Sequence, residues 1–259
     1  MAEFGLIETI KVVNGRMVFR NLHVKRLHRS LKVINIEESE YKLEDRILRL
    51  LKYECVEKGL KNFRLRLEVQ KNRAHDYMPD ISPLKWNCVL RPLESPVYQW
   101  NEMGLSLTFL PKHKKLLDAF ANLKHTDRSI YEKALNYARE NDVDDALVLN
   151  ENNMVADASI YNVFIIKDGI IYTPPLTDGP VAGVLRELLL TRLPAVQIAE
   201  KSITLQDVYA ADEVFLTNVI RGIRWVKYMD DKQYTNILTQ QLFQEFKSVV
   251  FEHYGEHLV

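Results

Sequence analysis

From residue 154 to 164 apolar and polar positions alternate in a run rich in Val, Ile, Tyr and Phe. This predicts a strand with one acid, Asp157, inside it. Asp168-Gly169 then reads as a two-residue hairpin turn leading into a second apolar strand, residues 170–173, which Pro174 and Pro175 stop. Residues 177–186 form a glycine-punctuated loop that runs into a helix marked by Val184, Leu188 and Leu189. Free backbone N–H groups and the positive end of the dipole at such a helix start make a natural seat for a phosphate. Upstream, the pattern predicts a strand over 6–13, an Asn14-Gly15 turn and a partner strand over 16–20. A helix capped by Asn21 follows, with Leu27, Leu31 and Ile34 on one face. A second helix spans 43–58 and stops at Gly59. Strands follow at 63–69, 86–90 and 105–110, with a polar loop over 72–84. Beyond them come a helix over about 126–141, a strand at 146–149, strands at 213–217 and 223–226 joined by a turn, and a closing helix over 237–250.

The chain has 259 residues, 47% of them apolar and 27% charged, which suits one large or two small globular domains. The first half reads as a small α/β domain, residues 1–110, and the second as a larger strand-rich domain, residues 111–259. Residues 92–120 form the expected connection. The formal net charge of zero gives no reason to expect a nucleic-acid partner, and no apolar run is long enough for a membrane span. The first residues lack the basic and apolar regions of a signal peptide, and Cys55 and Cys88 lie outside any zinc spacing. Both are expected to be buried thiols in a reducing cytoplasm.

Four strings, in order along the chain, carry a resemblance: residues 122–128 (NLKHTDR), 155–164 (VADASIYNVF), 172–179 (YTPPLTDG) and 213–219 (EVFLTNV). Together with residues 4–11 (FGLIETIK) and 23–27 (HVKRL) they resemble the class IV aminotransferases, pyridoxal-phosphate enzymes of fold type IV. The family's usual first strand and Asp-Arg turn before Phe4-Gly5 are not in this sequence. The resemblance implies a two-domain α+β fold of the D-amino-acid aminotransferase kind, with the cofactor in the cleft between domains and a homodimer as the working form.

The resemblance also implies roles. Lys124 matches the lysine that bonds the cofactor; an amine is nucleophilic only when neutral, so a cationic or desolvated setting must lower its proton affinity. Arg128 matches a cation near the cofactor's phenolic oxygen. Asp157 falls where the family has a glutamate that partners the ring nitrogen; being one methylene shorter, it requires a backbone shift or a bridging water for that contact. Arg26 matches the arginine that binds the cofactor phosphate, a task suited to a permanently charged, bidentate guanidinium. Gly183, Val184 and Leu185 match a Gly-Ile-Thr helix start, where Leu185 offers backbone but no hydroxyl. Thr217 and Asn218 would close the phosphate cup. For the substrate, Lys112 and Lys114 of the 112–115 cluster and Arg221 are the anion-binding candidates, with Arg224 beside them. The short chain and the Leu-Lys-His string with Arg128 look most like 4-amino-4-deoxychorismate lyase of folate synthesis. A branched-chain or D-amino-acid aminotransferase is the alternative, and a non-catalytic family member the second.

Overall fold

The computed structural model describes residues 4–77, 82–192 and 197–255. It divides into two compact units. The first runs to Val97 and takes back Leu123–Asp127; the second comprises Tyr98–Asn122 and the chain from Arg128 onward.

In the first unit, strands β1 (Gly5–Val13) and β2 (Arg16–Met17) are joined by Asn14-Gly15, both at positive φ (50° and 73°), as a primed hairpin turn requires. Helices α1 (Arg20–Val33) and α2 (Glu40–Lys58) follow, then β3 (Phe63–Lys71) and β4 (Leu84–Pro92). The antiparallel order is β2-β1-β3-β4. Every residue of β1 is buried, and Leu6, Ile10 and Val12 pack with Leu27 and Leu31 of α1 and Leu43, Ile47 and Leu51 of α2. Each such side chain contributes about 1.5–3 kcal/mol by leaving water. The partner strand after the turn is shorter than expected, and α1 is not capped by Asn21. Phe19, in the left-handed region, stands at its N-cap and Asn21 lies inside the helix. Ser39 caps α2 through the Lys42 N–H. Of the expected 72–84 loop, residues 73–76 form a 3-10 turn and residues 78–81 lie outside the described part. Cys55 and Cys88 are half-buried free thiols rather than fully buried ones.

The second unit holds β5 (Leu105–Phe109), α3 (Ser129–Glu140), β6 (Asp145–Leu149), β7 (Val155–Ala158), β8 (Asn162–Lys167), β9 (Ile170–Thr173), α4 (Val184–Arg192), β10 (Ile198–Glu200), α5 (Leu205–Ala210), β11 (Glu213–Asn218), β12 (Gly222–Met229), β13 (Lys232–Gln233) and α6 (Ile237–Tyr254). Its sheet runs β10-β9-β8-β11-β12-β5-β6-β7, and β7 pairs again with β8, so six of these strands close into a ring. Three expectations change. Strand β5 belongs to this sheet, not to the first half, because it pairs in parallel with β6 and β12. The single strand expected over 154–164 is two, β7 and β8, folded back on each other at 159–161. The segment around Lys124 is not the entrance of a helix in the second domain. Lys124 O accepts the Ile7 N–H at 2.7 Å and Leu6 bridges His125, so the segment adds an edge to β1, and α3 begins only at Ser129. Gly5 makes room for it: a Cβ there would come 2.7 Å from Gln70 Cγ and 3.3 Å from Thr126 Cγ2.

Candidate functional site

In the first unit, β1 and α1 bring three ionisable groups together. Glu8 is 2% exposed, and its two oxygens accept Arg26 Nε at 2.8 Å and Arg26 Nη2 at 2.6 Å, a fork-on-fork pair. His23 sits one helical turn before Arg26, so both reach the same carboxylate; its Nδ1 lies 2.6 Å from Glu8 Oε2. Burial pushes the Glu8 carboxyl up, but the Arg26 charge and the hydrogen bonds from His23 and Arg26 outweigh it, and Glu8 is held at about 2. Burial depresses His23, the charges of Arg26 and Lys124 add to this, and Glu8 opposes it. A neutral His23 donates through Nδ1 to the ionised Glu8, which leaves Nε2 a bare acceptor. That atom is buried without a partner among the described residues. Lys124 is half-buried and close enough for its charge to act on His23. Arg26 and Lys124 are thus brought into one neighbourhood, with two of the five guanidinium N–H groups of Arg26 given to Glu8.

In the second unit, Asp157 lies where the sheet closes. It pairs with Val148 of β6 on one side and Asn162 of β8 on the other, and Asn162 pairs in turn with Thr217 of β11. Directly paired residues share a face of a sheet, so Asp157, Asn162 and Thr217 form a row across three strands. The segment before α4 lies against that row: a Cβ on Gly183 would stand 1.8 Å from Asn162 Oδ1, so only glycine fits while Asn162 keeps this rotamer. Asp157 is 2% exposed. Its Oδ2 accepts Lys115 Nζ at 3.0 Å, Tyr131 Oη at 2.8 Å and the Val181 N–H at 3.0 Å. Its Oδ1 accepts Asn162 Nδ2 at 3.0 Å. Lys115 Nζ also donates to Tyr131 Oη. Burial first, then the Asp157 charge, holds the Tyr131 phenol well above its ordinary range, so it stays a donor.

The other expected positions are placed as follows. Val184 and Leu185 are buried in the first turn of α4. Thr217 is buried and its hydroxyl has no partner among the described residues. Asn218 Oδ1 accepts the Ile220 and Arg221 N–H groups and so shapes its own turn. Arg128 Nη2 donates to Ser159 O at 3.2 Å, and Arg221 Nη1 to Tyr161 Oη at 3.0 Å. Lys112 is exposed and Lys114 half-buried; Lys115, expected with the rest of the 112–115 cluster to meet substrate anions, turns inward to Asp157 instead. Glu8, His23, Tyr131 and Asn162 have no role in the sequence reading. All but Tyr131 lie inside the quoted strings, and the helical spacing of His23 to Arg26 is a usable signal.

A family model for class IV aminotransferases matches residues 5–228 of this chain. A D-alanine aminotransferase of Listeria monocytogenes is 25% identical over 97% of this chain and 89% of its own. The solved 4-amino-4-deoxychorismate lyase of Pseudomonas aeruginosa superposes with a TM-score of 0.75 at 25% identity, covering 94% of this chain and 90% of that one. A branched-chain aminotransferase of Thermoproteus uzoniensis superposes with a TM-score of 0.78 at 22% identity, covering 98% and 88%. The fold and site therefore define a pyridoxal-phosphate enzyme of fold type IV. The chain belongs to the class IV aminotransferase family, and its cofactor is pyridoxal 5'-phosphate.

Two features of this chain suit that cofactor. The buried Thr217 hydroxyl is unsatisfied beside the start of α4, as a phosphate contact would leave it. Asp157 accepts three donors at Oδ2 but one at Oδ1, so Oδ1 is the less crowded oxygen and the one a further donor would meet.

Proposed function

We propose that this enzyme is a 4-amino-4-deoxychorismate lyase, converting its substrate to 4-aminobenzoate and pyruvate. The observation that carries the reading is the pair of arginines at Tyr161: Arg221 on its hydroxyl and Arg224 acting on the same phenol. The substrate is a cyclic diene with two carboxylates and calls for at least two anion contacts, whereas a branched-chain amino acid has one carboxylate and an apolar tail. Lys112 and Lys114 are the further candidates for these contacts. The structural likeness to the Pseudomonas lyase supports the same reading.

Bound pyridoxal phosphate supplies a ring that accepts the electron pair released at the amino-bearing carbon. Lys124 Nζ would hold the cofactor through its amine and would take the proton from the amino-bearing carbon of the substrate. The ring–oxygen bond of the enolpyruvyl group breaks as the ring becomes aromatic, and a proton delivered to the enol carbon gives pyruvate. Arg26, Thr217, and the backbone of Gly183, Val184 and Leu185 hold the phosphate, with Asn218 shaping the turn beside it. Asp157 partners the ring nitrogen and Arg128 the phenolic oxygen. We assign the reaction to cytoplasmic folate synthesis by a homodimer, a form that sedimentation of the loaded protein tests.

A transaminase is the second reading, supported by the likeness to the Listeria enzyme over nearly the whole chain. Two mixtures separate them. Protein loaded with cofactor is given aminodeoxychorismate, and 4-aminobenzoate and pyruvate are followed; or it is given 2-oxoglutarate with D- or branched-chain amino acids, and glutamate is followed. The lyase reading expects product in the first mixture. Glutamate without 4-aminobenzoate overturns it.

A further inference from the structure

Lys115 is 6% exposed, and the backbone fixes where its side chain starts. Its N–H donates to Leu149 O at 2.8 Å, and the residue forms a parallel bridge with Asn150. Asn150 is itself clamped, donating to Asp178 O and accepting the Asn152 and Met154 N–H groups. From this anchor Lys115 Nζ reaches both Asp157 Oδ2 and Tyr131 Oη, while Tyr131 donates to the same Oδ2. The three groups form a closed triangle on one carboxylate oxygen, and the other oxygen carries a single donor, Asn162 Nδ2.

Building on the assignment of Asp157 to the ring nitrogen, we propose that Lys115 is a positioning residue for that contact. It satisfies Oδ2 with a fixed positive charge, so the ring nitrogen meets a neutral ion pair through Oδ1 alone. A lone buried carboxylate would bind a protonated ring nitrogen strongly. With a cation already seated on its far oxygen, attraction to Asp157 is largely offset by repulsion from Lys115 a few ångströms further away. The ring nitrogen then holds its proton loosely, and the ring is a moderated electron acceptor. Such a setting suits an elimination driven by aromatisation, which needs less electron withdrawal than repeated amino transfer.

Cofactor labelled with nitrogen-15 in the ring tests this by its NMR shift across neutral pH, without reference to turnover. Wild-type protein should show a shift short of the fully protonated limit. Lys115→Met and Lys115→Gln should move it toward that limit, and Lys115→Arg should keep it near wild type. The same loss of charge should raise the preference for the cofactor over its ring-carbon analogue by roughly tenfold, the scale of a hydrogen bond to a charged group. Asp157→Asn should move the resonance toward the unprotonated limit. If it does not, the assignment of Asp157 fails and takes this proposal with it. If Asp157→Asn moves the resonance and the Lys115→Met and Lys115→Gln variants do not, the role of Lys115 alone is overturned. Should both uncharged variants fail to fold, the wild type still decides: a fully protonated resonance throughout neutral pH overturns the proposal.

Discussion

The two units each bury one carboxylate against one cation and one neutral ring, yet they do so by opposite routes. In the first, Glu8 meets Arg26 through two parallel bonds and His23 through a third, from partners 15 and 18 residues away on the adjoining helix. In the second, Asp157 meets a lysine 42 residues away and a tyrosine 26 residues away, both on the same oxygen. The first is a saturated fork that fixes a guanidinium. The second loads one oxygen heavily and leaves the other with room. A planar, bidentate cation closes a carboxylate, whereas a point charge with neutral donors can keep one side of it available.

The largest test of this contrast is Lys124→Ala. It should abolish borohydride-fixed attachment of the cofactor, read by mass spectrometry, and lower turnover by at least about 10²–10⁴-fold, the range of acid–base catalysis. Both networks should survive it. Because the Lys124 charge helps depress His23, the His23 titration followed by NMR should move upward. An unchanged His23 would place the amine elsewhere.

Next in size is a split response to pH and to Glu8→Gln. Glu8 and His23 are both depressed in the folded protein, so the unfolded chain binds more protons and stability falls as pH drops. The loss should begin below about 6.5, where a free histidine charges, and deepen as Glu8 is carried from its ordinary 4.5 to about 2. Tyr131 is raised, so its contribution is lost at the other end, as pH rises above the ordinary phenol value of 10.0. Amide resonances of β1 and α1 should therefore fail first in acid, and those around Tyr131 first in alkali. Glu8→Gln, which strands Arg26 without its counter-charge, should destabilise the first unit by about 3–5 kcal/mol. Equal loss in both units would erase the distinction. The smallest effect is a control: Ser39→Ala removes the α2 cap, outside both networks. It should cost about 1 kcal/mol in thermal unfolding with cofactor affinity unchanged.

The contrast also explains what could be read from the sequence. Hairpins at Asn14-Gly15 and Asp168-Gly169, the α2 helix and the strands 63–69 and 213–217 were legible because turn chemistry and alternation are local. So was the neighbourhood of Arg26, one helical turn from His23. What failed was non-local. The fold-back at 159–161 is hidden in a run that alternates like one strand, and β5 lies in the larger sheet only because β6 and β12 accept it. Nothing near Lys115 in the sequence distinguishes it from Lys114; its burial follows from the pairing of its backbone with Leu149 and Asn150. Short β10 and α5 were missed for want of a sustained period.

The absence of a side chain at Gly183 bears on how this protein can change over time. Asn162 Oδ1 occupies the space a Cβ would need there, while Asn162 Nδ2 holds both Asp157 and the Val181 carbonyl. The two positions are therefore one inherited unit. Alanine at 183 is closed to any lineage that keeps Asn162 as it stands, and it opens only after 162 has turned to another rotamer or shrunk, loosening its hold on Asp157. In a library randomised at both sites, survivors should be strongly epistatic, and the route between the two solutions should pass through a poorly functioning ancestor.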